Sequence, residues 1–296
     1  MHVGICPVRI SFAGGGTDLP EYYKNFGGNV ISTTINQFTY SVIQPRKDNS
    51  FQSFSPDFQK HYKPTVFNKI AIEDGTEISS SVIKYLKYKH GLNVILFSDV
   101  PAGSGLGASS SLTVNLVNII NYLKNEKLTK EQTAEIAYSI ARKALHWPVG
   151  KQDEYVASFG GFNFITFKKN KISVKPIKLS KSSHKELQEN LLLFFIGDTR
   201  NSSNILTGQI KKITKKNPLT LSALSDVKNL ANEMHTSLKK SDLSNFGTLL
   251  HKGWIAKKQF APGITNTKID KIYEKSLQLG ALGGKLTGAG GGGHML

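Results

Sequence analysis

The segment NVILFSDVPAGSGLGASSSLTVNLVNIINYLKN, Asn93 to Asn125, constrains the fold more than any other part of the chain. Its first eight residues centre on the β-branched, aromatic and apolar run VILF, the pattern of a strand, and Leu112 onward carries the apolar spacing of a largely buried helix. Strand and helix are joined mostly by small residues. Successive glycines let backbone N–H groups converge on one point, and the following helix adds its positive N-terminal end, so the loop suits the phosphates of a di- or triphosphate. A plain glycine turn would need fewer of them. No Lys-Ser/Thr follows the last glycine, which excludes a Walker A loop. The spacing Gly103, Gly105, Ala108 does match G-x-G-x-x-A, and Glu126 lies near the distance of a ribose contact, so a dinucleotide-binding fold stays open. The serines favour phosphate with metal, because Ser109 or Ser110 at the helix start offers a hydroxyl to a Mg²⁺ that bridges phosphate oxygens.

Three further stretches carry chemistry. RISFAGGGTDLPEYY, from Arg9, sets Gly14, Gly15 and Gly16 between a strand and the pair Thr17-Asp18, the look of a surface cleared for a ligand. GKQDEYVASFGGF presents Asp153 between polar residues, where a carboxylate accepts a proton from a substrate hydroxyl; a helix cap is the plainer reading of the same residue. GGKLTGAGGGG, near the end, reads as a glycine-rich turn or a flexible tail.

The rest of the chain organises around these sites. Residues 3–12 and 29–43 read as strands, LPEYYKNF as a short helix, and TKEQTAEIAYSIARKAL as a helix with Thr129 and Gln132 placed as a capping box. GGFNFITFKKNKISVKPIKL reads as a hairpin, SKSSHKELQEN as a polar stretch joining two domains, LLLFFIGD as a buried strand, and 219–239, 241–258 and 267–279 as amphipathic helices. The 296 residues, 39% hydrophobic, suffice for two domains. The single cysteine, Cys6, reads as a small core residue, and His146 and Trp147 as packing beside Pro148. No run of 18 apolar residues and no signal-peptide pattern occurs, which places the expected compartment in the cytoplasm, away from membranes. Thirty-eight Lys and Arg against 21 Asp and Glu give a net charge of +17, suited to an anionic partner without choosing one.

Taken together, PVRISFAGGGTDLP, DVPAGSGLGASSSL and GGKLTGAGGGG resemble, in order, the three signature regions of the GHMP kinase superfamily, whose members include galactokinase and mevalonate kinase. GKQDEYVASFGGF lies at the position of that family's catalytic acid. The resemblance covers nearly the whole chain and implies an α+β fold in two domains, 1–178 related to a ribosomal protein fold and 179–296 ferredoxin-like, with the active site between them. It implies ATP and Mg²⁺ as cofactors. By position, Asp153 matches the catalytic aspartate and Arg9 the basic residue that stabilises it. Pro101, Gly103, Ser104, Gly105, Leu106, Gly107, Ala108, Ser109 and Ser110 match the segment that wraps the nucleotide phosphates, with Ser109 on the metal. Asp18, assisted by Thr17, matches the carboxylate that binds sugar hydroxyls, and Gly288, Ala289, Gly290 and Gly291 belong to the segment that closes over substrate.

RISFAGGGTDLP is similar to the members that phosphorylate the anomeric hydroxyl of D-glycero-D-manno-heptose 7-phosphate for surface polysaccharides. Where galactokinase-like sequences carry Glu-His, this chain has Gly15-Gly16, which on this reading clears room for a longer, phosphorylated sugar. Arg200, Lys151 and Lys285 are the candidates to grip its distal phosphate. Two features depart from the family pattern: Ala141 stands where relatives carry a magnesium-binding glutamate, and the chain is expected to be shortened past GGGG. The alternatives are a kinase of another sugar such as fucose or galactose, an NAD-dependent oxidoreductase, and an RNA-binding protein; the last leaves the chain without an RNP-type aromatic motif.

Overall fold

The computed structural model describes residues 1–197 and 202–296; Arg200 lies outside the described residues. The elements run β1 (His2–Ala13), α1 (Pro20–Phe26), β2 (Gly28–Pro45), β3 (Ser50–Ser55), β4 (Lys60–Val66), α2 (Glu77–Tyr85), β5 (Leu92–Ser98), α3 (Ala108–Leu123), α4 (Lys130–Ser139), α5 (Gln152–Phe159), β6 (Phe162–Lys168), β7 (Lys171–Pro176), α6 (Lys181–Glu189), β8 (Phe194–Phe195), α7 (Ser202–Thr214), α8 (Pro218–Lys239), α9 (Leu243–Lys257), α10 (Thr267–Gln278) and β9 (His294–Met295).

The 18-residue β2 organises the seven-stranded sheet. One edge of β2 pairs antiparallel with β1, while the other carries β5 along Thr39–Pro45 and β6 along Gly28–Thr33. Hairpins add β4 to β3 and β7 to β6, and only β3 and β5 run parallel. This is an α+β fold, the class expected. A mostly antiparallel sheet also removes the doubly wound scaffold that a dinucleotide-binding G-x-G-x-x-A needs, and Glu126 is spent on an ion pair with Lys124.

Helices cover both faces, which is why β1 is buried from Cys6 to Ala13 except at Pro7. Val8, Ile10 and Phe12 pack with Leu230, Met234 and Leu238 of α8 and Phe246 and Leu249 of α9. On the other side Cys6 packs with Val114 of α3 and Ala157 of α5. Cys6 and Arg9 are three residues apart yet face the same helices, which strict alternation forbids. A register slip between Pro7 and Arg9 makes the change, and it aims Arg9, and two residues on Ser11, at α5. Behind them α3 buries Leu112, Val114, Leu116, Val117 and Ile120, each contributing about 1.5–3 kcal/mol, so its N-terminus is firmly placed.

Several expectations are corrected. SKSSHKELQEN forms a helix, α6, whose N-terminus is capped by Ser180 on the Ser183 N–H (3.0 Å), and its one apolar residue, Leu187, falls on the core side. The strand in LLLFFIGD is only Phe194–Phe195, paired with His294–Met295. The helix from Thr129 stops at Ser139 and continues as a π-helical turn, Ile140–Ala144. The β3–β4 hairpin, α2 and α7 were not expected. Among the described residues, no helix is long and apolar enough to cross a membrane.

The capping box is present as read: the Gln132 N–H donates to Thr129 Oγ1 (3.1 Å) and the Thr129 N–H to Gln132 Oε1 (2.8 Å). Thr129→Ala is expected to lower the unfolding free energy by about 1 kcal/mol in urea titrations, with Thr129→Ser near wild type. Equal stability of all three would remove the box from the account of α4.

Candidate active site

The register slip on β1 brings a guanidinium into the interior, where it needs partners. Arg9 Nε donates to Asp153 Oδ1 (2.7 Å), Nη2 donates to Oδ2, and Nη1 donates to the carbonyl of Gly105 (2.6 Å). Asp153 is in the first turn of α5, so strand, helix and glycine loop meet at one fork-to-fork pair. The Arg9 N–H also donates to the Leu106 carbonyl (2.9 Å), which anchors the loop to β1. Gly107, the residue before α3, lies over the pair: a β-carbon there would be 3.3 Å from Arg9 and from Asp153 Oδ2. No side chain caps α3, so the N–H groups of its first turn are available to an anion beside Ser109 and Ser110. Ser109 is exposed, whereas Ser110 Oγ donates to Glu154 Oε1 (2.9 Å).

The C-terminal glycines meet this loop backbone to backbone. A β-carbon on Gly105 would lie 2.8 Å from the Thr287 carbonyl oxygen, and one on Gly288 would lie 2.6 Å from Gly105 Cα. The Ser104 carbonyl accepts from the His294 N–H (3.2 Å). Gly291 N–H donates to Ile264 (2.8 Å), and Gly288 and Ala289 line the cavity beside Arg9 and Asp153. GGKLTGAGGGG is therefore a packed turn, and the flexible-tail reading is overturned by its close backbone contacts.

That cavity, about 90 Å³, is bounded by Arg9, Ser11, Gly15, Asp18, Gln152, Asp153, Gln209, Lys257 and Lys285, with Leu19 and Phe260 among its apolar walls. Asp18 is buried; its carboxylate accepts from the N–H groups of Gly16 (2.9 Å) and Gln152 (3.1 Å), and burial first, then the charge of Asp153, push its pKa up. Ser11 Oγ donates to Gln152 Oε1 (2.9 Å). Thr17 is elsewhere: its hydroxyl is within reach of the carbonyls of Gly14 (2.7 Å) and Asn29 (3.2 Å) and holds the turn.

The glycine triplet divides. Gly14 (φ 81°) and Gly16 (φ 94°) have left-handed backbone, and β-carbons there would lie 1.7 Å from the Asn29 carbonyl oxygen and 2.6 Å from Gln209 Nε2. Gly15 and Gly16 both line the cavity, but only at Gly15 would a β-carbon find ordinary contacts, with Gln152 and Ser11 at 3.5 Å. Gly14 and Gly16 answer to the turn, so the expectation of cleared room rests on Gly15.

Lys151 does not join the cavity. Its Nζ donates to both oxygens of Glu135 (2.5 and 2.7 Å), over the ring of Tyr138. Lys285 does join it, together with two residues that sequence reasoning missed, Lys257 and Gln209; Glu154, also missed, is buried beside Asp153 on α5, outside the cavity lining. The Gln209 Nε2 is buried without a hydrogen-bond partner, and so is Glu154 Oε2. Nothing in KQDEYVASF, where Glu154 follows a lysine, a glutamine and another carboxylate, signals which acid is buried. Ala141 is buried in the π-helical turn and presents no carboxylate. Cys6 is in the core as expected, its thiol pushed up to about 11 by burial.

Comparison with known proteins follows this geometry. Family models described as GHMP kinases N terminal domain and GHMP kinases C terminal match residues 77–161 and 234–296. The D-glycero-alpha-D-manno-heptose 7-phosphate kinase of Campylobacter jejuni is 32% identical over 98% of this chain and 86% of that protein. The L-fucokinase/L-fucose-1-P guanylyltransferase of Bacteroides fragilis is 27% identical over 99% of this chain, a match that covers 34% of that larger protein. Among solved structures, a D-glycero-D-manno-heptose 1-phosphate kinase from Bacteroides thetaiotaomicron superposes with a TM-score of 0.80 at 26% identity, covering 99% of this chain and 86% of that one.

Two expectations test the site's construction. Burial, then the charge of Asp153, push Glu154 up to about 8, from an ordinary 4.5. Between those values the folded chain holds a proton that the unfolded chain has released, so Glu154 makes stability fall as pH rises through that window. Glu154→Gln, neutral throughout, is expected to flatten that fall in melting temperatures measured from about pH 5 to 8; an unchanged profile would show that Glu154 ionises freely. Gly16→Ala is expected to cost at least about 1 kcal/mol in urea titrations and Gly15→Ala much less. The reverse order would overturn the division of the triplet.

Proposed function

This chain belongs to the GHMP kinases and is an ATP-dependent sugar kinase, and we propose that its acceptor is D-glycero-D-manno-heptose 7-phosphate, phosphorylated at the anomeric hydroxyl. The observation that carries the reading is the Arg9–Asp153 pair, held against the Gly105 carbonyl at the junction of the glycine loop and the cavity floored by Asp18. Phosphoryl transfer asks mainly for in-line positioning and neutralisation of charge. The loop N–H groups and the N-terminus of α3 face the nucleotide phosphates, and Asp18 receives sugar hydroxyls. Asp153, oriented by Arg9, takes or directs the proton of the attacking hydroxyl. An anomeric hydroxyl is more acidic than an ordinary alcohol, so a modest base suffices.

Magnesium keeps several waters and usually takes one or two protein groups beside substrate phosphates. The residues fit an ion held mainly by the nucleotide: Ser109 is exposed on the first turn of α3, whose N–H groups no side chain caps. Ser109 would hold the ion, which when bound neutralises charge on the phosphate oxygens. The need for ATP puts the reaction in the cytoplasm.

ATP consumption is measured with heptose 7-phosphate, heptose 1-phosphate, unphosphorylated heptose, fucose, galactose and mevalonate, with and without Mg²⁺. The 1-phosphate is included because the two heptose kinases differ in the position their names give. Fastest turnover of the 7-phosphate, to the 1,7-bisphosphate, is expected; preference for fucose, galactose or the 1-phosphate would reassign the acceptor. Asp153→Asn is expected to lower kcat by about 10²–10⁴ with little change in ATP affinity. Near-normal kcat would remove Asp153 from the proton's path.

A further inference from the structure

The wall of the cavity facing α9 holds two buried lysines that the chemistry above does not use. Lys257, the last residue of α9, is 8% exposed and Lys285 is 7% exposed. Lys257 Nζ donates to the carbonyls of Leu286 (2.9 Å) and Gly288 (2.6 Å), and Lys285 Nζ to the carbonyl of Phe12 (3.3 Å). An ammonium has three N–H donors. One on Lys257 and two on Lys285 therefore remain, and no carboxylate forms an ion pair with either among the described residues.

Both lysines line the same cavity as Arg9, whose own charge is matched by Asp153. The remaining acid there is Asp18, already satisfied by two backbone N–H groups. Cation is thus in excess in a space closed to most water, an arrangement whose cost an anionic occupant would offset. The titration agrees: burial, then Arg9, push Lys285 down to about 7, and burial with Lys285 and Arg9 lowers Lys257. The place is informative too, since the Gly288 carbonyl held by Lys257 belongs to the residue that abuts Gly105 of the nucleotide loop.

We propose that Lys257 and Lys285 form a seat for a phosphoryl group, their free N–H donors binding its oxygens on the side opposite the glycine loop. The phosphate is either the terminal one of ATP in transfer or the one already on the acceptor sugar. The seat deepens the kinase reading and rests on it only for the identity of the acceptor.

Inorganic phosphate is the probe. It is titrated calorimetrically near pH 8, in buffers of different ionisation enthalpy, into the full chain and into its Lys257→Met and Lys285→Met variants. Binding is expected to draw a proton onto the wild-type chain, because an anion restores charge to Lys285, whose pKa burial lowers to about 7. Phosphate affinity is expected to fall by about tenfold or more in each variant, with the proton uptake reduced. The glycine loop is intact in the variants, so its own phosphate binding would not change. Kinetics separate the two sources: a raised KM for the sugar phosphate but not for unphosphorylated heptose identifies the acceptor's phosphate, and a lowered kcat at unchanged KM identifies the group in transfer. Wild-type binding without proton uptake overturns the seat, and needs no variant to fold; so do variants that bind phosphate as the wild type does. Heptose 7-phosphate failing as a substrate while phosphate binding and uptake persist would sink the acceptor assignment and leave the seat standing.

Discussion

A guanidinium inside a protein is tolerable only when its donors are met, and Arg9 meets them with one carboxylate and one backbone carbonyl. Arginine and partners come from three elements far apart in sequence: β1, the first turn of α5, and the loop before α3. Removing either charge strands the other in a poorly solvated place, at a cost of about 3–5 kcal/mol when burial is complete. The pair therefore fixes the relative positions of β1, α5 and the loop before α3, and with them the direction of the Asp153 carboxylate.

Around that pair the structure closes by backbone contact. Gly105 against Thr287 and Gly288, and Ser104 against His294, put two loops 180 residues apart in sequence at van der Waals distance. Any side chain at Gly105 would wedge them open. The benefit is a surface of N–H groups and helix N-terminus without bulky walls, faced from α9 by Lys257 and from the strand side by Lys285. The cavity wall thus combines main chain and cations with the carboxylate of Asp18, Gln152 and the unpartnered amide of Gln209.

Legibility followed how local the cause was. The capping box at Thr129, the strand–loop–helix unit ending in α3, the β6–β7 hairpin and helices α8 to α10 rest on neighbours within a few residues, and all were readable. The β3–β4 hairpin was not, since FQSFS and KHYKPTV are short and polar, with a proline in the second, and are made strands by pairing with β5. The polar α6 looked like a linker because Leu187 is its one apolar residue. Lys257 and Glu154 were hidden because a single charged residue in an ordinary helix gives no sign of burial. Lys151 and Lys285, offered together on sequence proximity alone, went to different fates, one to Glu135 and one to the cavity.

What the sequence determined by itself was the set of parts: glycine runs at turns and before a helix, an aspartate beside a helix start, an arginine in a strand, and their order along the chain. Those are local facts, set by φ/ψ freedom, helix dipoles and side-chain chemistry. What only the tertiary structure decided was which parts touch. The slip between Pro7 and Arg9 chose the face on which the arginine lies, and the approach of Gly288 to Gly105 chose which glycines are spent on packing. Burial chose which charges have lost their water, because desolvation depends on everything packed around a group and on nothing beside it in the chain.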